Sequence, residues 1–202
     1  MKFNPETHHR RSIRLKNYDY IQPGAYFITI VTNKRQCLFG KIENGVMRLN
    51  EFGEIVRDEW FKSNEIRREI VLNDYEFVVM PNHIHGIVWI VENNDMGTNG
   101  NIIVGANGRS PLQKQSNKNQ PPTHSDSPLI RMSPKSISSF VAGFKSAVTK
   151  QINQLRQTPG IPVWQRNYYE HITRNDDELQ RIREYIINNP INWELDENYE
   201  RN

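Results

Sequence analysis

Tyr75 to Val91 read YEFVVMPNHIHGIVWIV, two apolar runs on either side of the turn signal Met80-Pro81-Asn82-His83. Such an arrangement predicts a β-hairpin. Successive side chains of a strand point to opposite faces, so His83 and His85 share one face of the second strand and Ile84 takes the other. Ile87 and Trp89 continue the histidine face and need covering by something further along the chain. Two imidazoles held two residues apart on a rigid strand suit one metal ion. Without a partner elsewhere, however, such a pair is more often structural.

A candidate partner lies far downstream. Glu184 to Pro190, EYIINNP, close a helical pattern in which Tyr185 and Asn189 are spaced i, i+4. They therefore share a helix face. A hydroxyl and an amide oxygen one turn apart can both reach an ion held by the two histidines. Two imidazoles and an amide oxygen, with open positions left over, suit Mg²⁺ or Mn²⁺, and the nitrogens also accept Zn²⁺ or Ni²⁺. A closed structural zinc site is not expected without thiolates.

With both blocks in view, the sequence resembles a known family. PNHIHGIVWI resembles the HUH motif (His, bulky apolar, His) of the single-tyrosine HUH endonucleases. WQRNYYEHITRNDDELQRIREYIINNPINW resembles the C-terminal block of the REP-associated tyrosine transposases. In that branch a helix carries the nucleophilic Tyr and, four residues later, an Asn metal ligand just before Pro; Tyr185, Asn189 and Pro190 stand at these positions. YDYIQPGAYFITIVTNKR also resembles the family's first strand. The likeness spans most of residues 8–193. The histidine triplet alone is weak, but followed in chain order by Tyr-x-x-x-Asn-Pro it is specific.

The resemblance implies a metal-dependent, single-strand-specific DNA nickase and strand-transferase that works through a 5′-phosphotyrosine at Tyr185. His83, His85 and Asn189 would hold a divalent ion. The implied substrate is a DNA hairpin from an imperfect palindrome with a short single-stranded flank. Related insertion-sequence transposases exchange tyrosine helices between subunits, whereas the REP-associated branch is self-contained, so monomer and homodimer both stand. Three readings compete with this one: a replication or conjugation initiator nuclease of the same chemistry, a DNA-binding protein of the same fold without catalysis, and a metal hydrolase in which Tyr185 merely orients water.

Composition agrees with a single-domain reading of residues 1–202. The chain is long enough for a real core, yet only 36% of it is hydrophobic, which predicts polar arms or loops. A net charge of +3 permits an anionic partner without requiring one. The single Cys37 excludes an intramolecular disulfide. No apolar run reaches spanning length and no signal-peptide core is present, so a soluble cytoplasmic protein without membrane contact is expected.

The remaining elements follow in order. Residues 1–19 form a basic arm, in which Arg10, Arg11, Arg14 and Lys16 either contact DNA phosphates or are simply solvated. AYFITIVT (25–32) reads as a buried strand. Asn44-Gly45 marks an accessory hairpin. Asn50 is placed to cap a helix with Phe52, Ile55, Val56 and Trp60 as its apolar stripe. Residues 93–131, rich in Asn, Gly, Gln, Ser and Pro, read as a flexible insert.

A second helix is expected from an N-cap at Ser133 and Pro134. Lys145 lies off its apolar stripe, on a face that is either solvated or runs along DNA. VWQRNYYEHI (163–172) reads as a strand, with Trp164 and Arg166 candidates for DNA contact. His171 is a possible extra ligand or hydrogen-bonding group. Asn175 and Glu178 open the last helix, Leu179, Ile182 and Ile186 form its apolar stripe, and Pro190 ends it. The acidic tail after it is expected to dock through Trp193. Together these elements predict an α+β fold. It is a ferredoxin-like antiparallel sheet with helices on one face and the C-terminal Tyr185 helix against the other.

Overall fold

The structure, a computed structural model, describes residues 21–92 and 135–199. The basic arm with Arg10, Arg11, Arg14 and Lys16, the insert at 93–131, and Ser133 and Pro134 lie outside the described residues.

The alternation in β1 (Gly24–Val31) and β6 (His83–Ile90) decides the architecture. These two strands pair antiparallel along their full length, from Gly24 opposite Ile90 to Val31 opposite His83. Tyr26, Ile28 and Ile30 of β1 and Ile84, Val88 and Ile90 of β6 enter one apolar cluster. Ala25, Phe27 and Ile87 enter another on the opposite side. A sheet buried on both faces needs two covers. Helices α1 (Glu51–Ile66) and α2 (Ile137–Leu155) supply the first through Val56, Trp60, Phe140, Phe144, Val148 and Ile152. Helix α3 (Asp176–Asn188) supplies the second through Leu179 and Ile186.

The edge beside β6 is formed by two short segments, β4 (Ile70–Val71) and β5 (Phe77–Val79), and β7 (Tyr169–Ile172) flanks β1 on the other side. The five-stranded sheet therefore runs β7-β1-β6, with β4 and β5 sharing the outer edge of β6. With that edge counted as one strand, the chain visits the sheet as strand, helix, strand, strand, helix, strand, the ferredoxin-like order. An accessory sheet of β2 (Gly40–Glu43) and β3 (Val46–Leu49) stands apart from it. Its turn is Asn44-Gly45, with φ of 52° and 73°, the left-handed geometry that a two-residue hairpin loop requires. At Gly86 the main sheet has no room for a side chain. A Cβ there would come within 2.5 Å of the Trp60 indole, which lies against the strand and stacks on Phe77.

Three local readings are corrected. The second helix begins at Ile137, not at Pro134, and its cap is Ser136, whose Oγ accepts from Ser139 N–H. Lys135 has a φ of 63° and cannot belong to a right-handed helix. The expected strand at 163–172 is shortened to β7, with a single isolated bridge from Trp164 to Thr32. Between them, Lys145 Nζ binds the carbonyls of Gln165 (2.5 Å) and Arg166 (3.2 Å). Asn189 retains helical angles (φ −60°, ψ −42°) although Pro190 follows, so the helix ends through lost hydrogen bonding rather than by a turn away at that residue. Among the described residues, no helix is long and apolar enough to cross a membrane.

Helix α3 is held to the sheet by more than its narrow apolar stripe. Glu76 is fully buried just before β5. Its Oε1 accepts from Arg183 Nε (2.8 Å) and Nη2 (2.6 Å), and its Oε2 from Trp89 Nε1 (2.7 Å) and Asn73 Nδ2 (2.6 Å). This pair ties the helix two residues from Tyr185 to the edge of the sheet. Arg183→Met leaves the Glu76 carboxylate buried without its cation, and the expected cost is about 3–5 kcal/mol in urea unfolding. The Glu76→Gln, Arg183→Met double variant should recover part of that loss, because no buried charge is then left unpaired.

Candidate active site

The two histidines sit where the alternation puts them, at the start of β6 on the α3 side of the sheet, and both are buried. The preceding loop fixes the first. Met80 N–H donates to His83 O (2.8 Å), closing the hairpin over Pro81 and Asn82. Asn82 Nδ2 donates to the carbonyls of Arg35 (3.1 Å) and Asn198 (2.8 Å), so its Oδ1 is left to face His83 Nδ1 at 2.8 Å. An amide oxygen only accepts, which puts the His83 proton on Nδ1 and a lone pair on Nε2. His85 Nδ1 lies 2.8 Å from Thr29 Oγ1, its cross-strand neighbour on β1. The two Nε2 atoms face each other at 2.9 Å.

Around these nitrogens stand three groups from the C-terminal part of the chain. Tyr185 Oη is 3.1 Å from His85 Nε2 and donates to Asp196 Oδ2 at 3.1 Å. Asn189 Nδ2 donates to the same carboxylate oxygen at 3.1 Å, while Asn189 Oδ1 is buried without a hydrogen-bond partner. Asp196 Oδ2 lies 3.9 Å from His83 Nε2 and 3.8 Å from His85 Nε2. His83, His85 and Asp196 thus form a group able to hold a metal ion, with candidate ligand atoms all within 4.8 Å of one another.

The residues present fit such an ion on three counts. Two nitrogens bound at about 2.1 Å and at right angles to each other lie about 3 Å apart, close to the observed separation. The Nδ1 atoms are engaged with an amide and a hydroxyl, the outer hydrogen bonds that orient metal-binding imidazoles. The orphaned Asn189 oxygen is costly if left dry and unpaired, and an ion would satisfy it.

Electrostatics point the same way. Burial, reinforced by His85, pushes His83 down to about 3, and burial likewise lowers His85, so both are neutral at pH 7. Burial raises Asp196, but His85, the Asn198 N–H, His83 and the Asn189 amide outweigh it and hold the carboxyl well below its usual range. Burial and the Asp196 charge push the Tyr185 phenol above its ordinary value.

A pH dependence follows. Both histidines take up protons less readily folded than unfolded, so the unfolded chain binds more protons between about pH 6.5 and about pH 3. The metal-free protein should therefore hold its stability above pH 6.5 and lose it progressively as the pH falls through that window. Urea midpoints at pH 7.5 and pH 5 in EDTA check this. A midpoint that is the same at both would contradict the buried, neutral histidines.

The other expected site residues are scattered. Trp164 is packed in the core between Phe39 and Phe144, with ring centroids at 5.1 and 5.9 Å, which removes it from direct DNA contact. Lys145 is turned onto its loop carbonyls, and burial pushes it down to about 8. Arg166 is exposed. His171 is paired with Glu178 Oε1 at 2.7 Å. Tyr169 is exposed near Phe27 (6.2 Å between centroids), while Tyr168 donates to Glu170. Trp193 docks as expected, its ring 5.8 Å from His83. Asp196 was not foreseen. The acidic tail was its sole trace in the sequence.

Comparison with known proteins gives a close relative. The chain is 40% identical over 198 residues to an uncharacterized protein of Haemophilus influenzae, covering 98% of this chain and 97% of that one. The two proteins belong to one family. No protein-family model matches the chain. Among solved structures, a REP-associated tyrosine transposase bound to a REP hairpin overlaps 90% of this chain and 74% of its own, at 18% identity and a TM-score of 0.48. A Deinococcus radiodurans protein solved as a candidate transposase overlaps 87% and 97%, at 16% identity and a TM-score of 0.37.

Proposed function

We propose that this protein is a metal-dependent single-stranded DNA nickase and strand-transferase of the transposase type, acting through Tyr185. One observation carries the reading. The Tyr185 hydroxyl lies 3.1 Å from a histidine nitrogen and 3.1 Å from a carboxylate, on a helix that also brings an unsatisfied Asn189 oxygen to the same place. The likeness of the PNHIHG and Tyr-x-x-x-Asn-Pro segments to the REP-associated branch supports it independently, and it supplies the expectation of a hairpin-forming palindromic substrate.

His83 and His85 Nε2 and Asn189 Oδ1 would hold the divalent ion, Mg²⁺ or Mn²⁺, with Asp196 beside them. When bound, the ion supplies Lewis-acid polarisation of a phosphate oxygen. Tyr185 Oη attacks the phosphorus, the bond to the 3′ oxygen breaks, and the DNA leaves a free 3′-hydroxyl and a 5′-phosphotyrosine. An ordinary phenol ionises near pH 10, and this one is harder to ionise still, so a proton acceptor is needed. Asp196 Oδ2 accepts its hydrogen bond and orients the hydroxyl. A carboxyl held well below its usual range takes up a proton poorly, so its role is to position Tyr185 rather than to act as its base. The phosphodiester energy is kept in the tyrosyl ester, so attack by another 3′-hydroxyl rejoins strands without ATP.

The test is to incubate the protein with Mn²⁺ and single-stranded fragments from the DNA flanking its gene. A DNA–protein adduct that survives boiling in detergent is expected, with the nucleotide mapped by mass spectrometry to Tyr185. Cleavage without any adduct would favour the water-activating hydrolase instead.

A further inference from the structure

A cavity of about 530 Å³ opens between the accessory hairpin and the segment that follows α3. It adjoins the candidate site along three of its walls. Pro81 directly precedes Asn82 and His83, Pro190 directly follows Asn189, and Trp193 sets its ring 5.8 Å from His83. Strand β2 puts no residue into either buried apolar cluster, and three of its four residues line this space. β2 thus builds a wall, while β3 packs Met47 and Leu49 against the core.

The lining selects for a flat, uncharged, aromatic group. Trp193 and Tyr199 meet edge to face, with centroids 5.2 Å apart, and offer ring surface. Asn44 carries both a donor and an acceptor for a heteroatom edge. Lys41 and Glu194 both line it, and Lys41 is already held by Glu43 at 2.7 Å, so the wall carries no net positive charge. An uncharged base attached to a backbone running outside the cavity suits such a wall without needing an ionic partner there. Cavities that enclose small organic molecules measure about 300–1,000 Å³, and base stacking on aromatic side chains is the usual mode of holding single-stranded nucleic acid.

We propose that this cavity takes an unpaired nucleobase of the DNA strand, next to the phosphate presented to Tyr185, with Trp193 as its stacking surface. The proposal rests on the DNA-processing function above. It makes the accessory hairpin and the post-α3 segment a specificity element for the single-stranded flank.

Cys37 makes the test direct, because it is the chain's single cysteine, is exposed and lines the cavity. Its rate of alkylation by a bulky maleimide is measured alone, with a single-stranded 12-mer of randomised sequence, and with a blunt hairpin of equal nucleotide content. The single strand should slow alkylation at least ten-fold and the blunt hairpin should not. Trp193→Ala should lose most of the protection, while Trp193→Phe, checked for folding by circular dichroism, should keep it. Absence of protection, equal protection by both DNAs, or full protection in Trp193→Ala would overturn the proposal. Protection needs no bond-making and should persist in Tyr185→Phe. A wild-type protein that is protected but never forms an adduct would thus sink the enzymatic reading and leave the base site standing.

Discussion

Tyr185→Phe is expected to abolish both strand cleavage and the detergent-resistant adduct while leaving DNA affinity close to wild type. The substitution removes one oxygen. Tyr185 is 42% exposed, and its ring packs edge-on against Phe27 (6.1 Å) and His85 (5.0 Å), contacts that a phenyl ring retains. What is lost is the attacking atom and its hydrogen bonds to His85 and Asp196, each at 3.1 Å. Stability should fall by about 1–3 kcal/mol, because one of the lost hydrogen bonds goes to the Asp196 carboxylate. The rate should fall by roughly 10³-fold or more, as for removal of a covalent nucleophile. Binding by gel shift and adduct formation in the same samples separate the two effects. An adduct that persists and maps to Tyr168 or Tyr169 would move the nucleophile but keep the class of enzyme. The geometry disfavours that outcome, because Tyr168 is turned to Glu170 while Tyr185 Oη lies 3.1 Å from His85 Nε2.

Elements with a local cause were legible in the sequence. Alternation alone put His83 and His85 on one face and Ile84 on the other. It also required a cover for Ile87, which α3 provides. Asn44-Gly45 and the Asn50 and Asn175 caps act within three residues, so their chemistry can be read directly; both cap side chains accept the expected N–H bonds. What could not be read depends on distance. Glu76 and Arg183 are separated by 107 positions, and neither lies in a pattern that announces the other. The shortening of β7 goes with a two-residue break in register, Tyr26 opposite Ile172 but Thr32 opposite Trp164, and nothing local in the sequence marks it. Asp196 belongs to a segment with no periodicity. Its place is set by a short helical turn at Trp193–Leu195, by Asn82 holding Asn198 O, and by Arg35 holding Glu197 O. Four site residues thus came from two short motifs, and the fifth needed the fold.

Loss of the metal pair has the second largest expected effect, and the structure grades it. His83→Ala or His85→Ala removes a nitrogen whose partner lies 2.9 Å away, and the double variant removes both. Adduct formation should become undetectable, and Mn²⁺ binding in titration calorimetry should fall by more than the roughly 10–100-fold that loss of an outer partner costs. Thr29→Val supplies the comparison. It keeps β-branched shape on β1 but deletes the hydroxyl 2.8 Å from His85 Nδ1, so its Mn²⁺ affinity should fall within that roughly 10–100-fold range. Asn189→Ala, which removes the orphaned oxygen, should weaken Mn²⁺ binding while leaving the histidine pair in place. Each buried imidazole leaves a void and an unpaired neighbour when truncated, so circular dichroism and a urea melt accompany every variant. A folded His83→Ala, His85→Ala protein that still forms the adduct in EDTA would remove the metal from this site altogether. One that binds Mn²⁺ as wild type would move the ion elsewhere. The expected order of loss, histidine pair before Asn189 before Thr29, follows from what each change removes: two candidate ligand atoms, one, and a hydroxyl that stands behind His85.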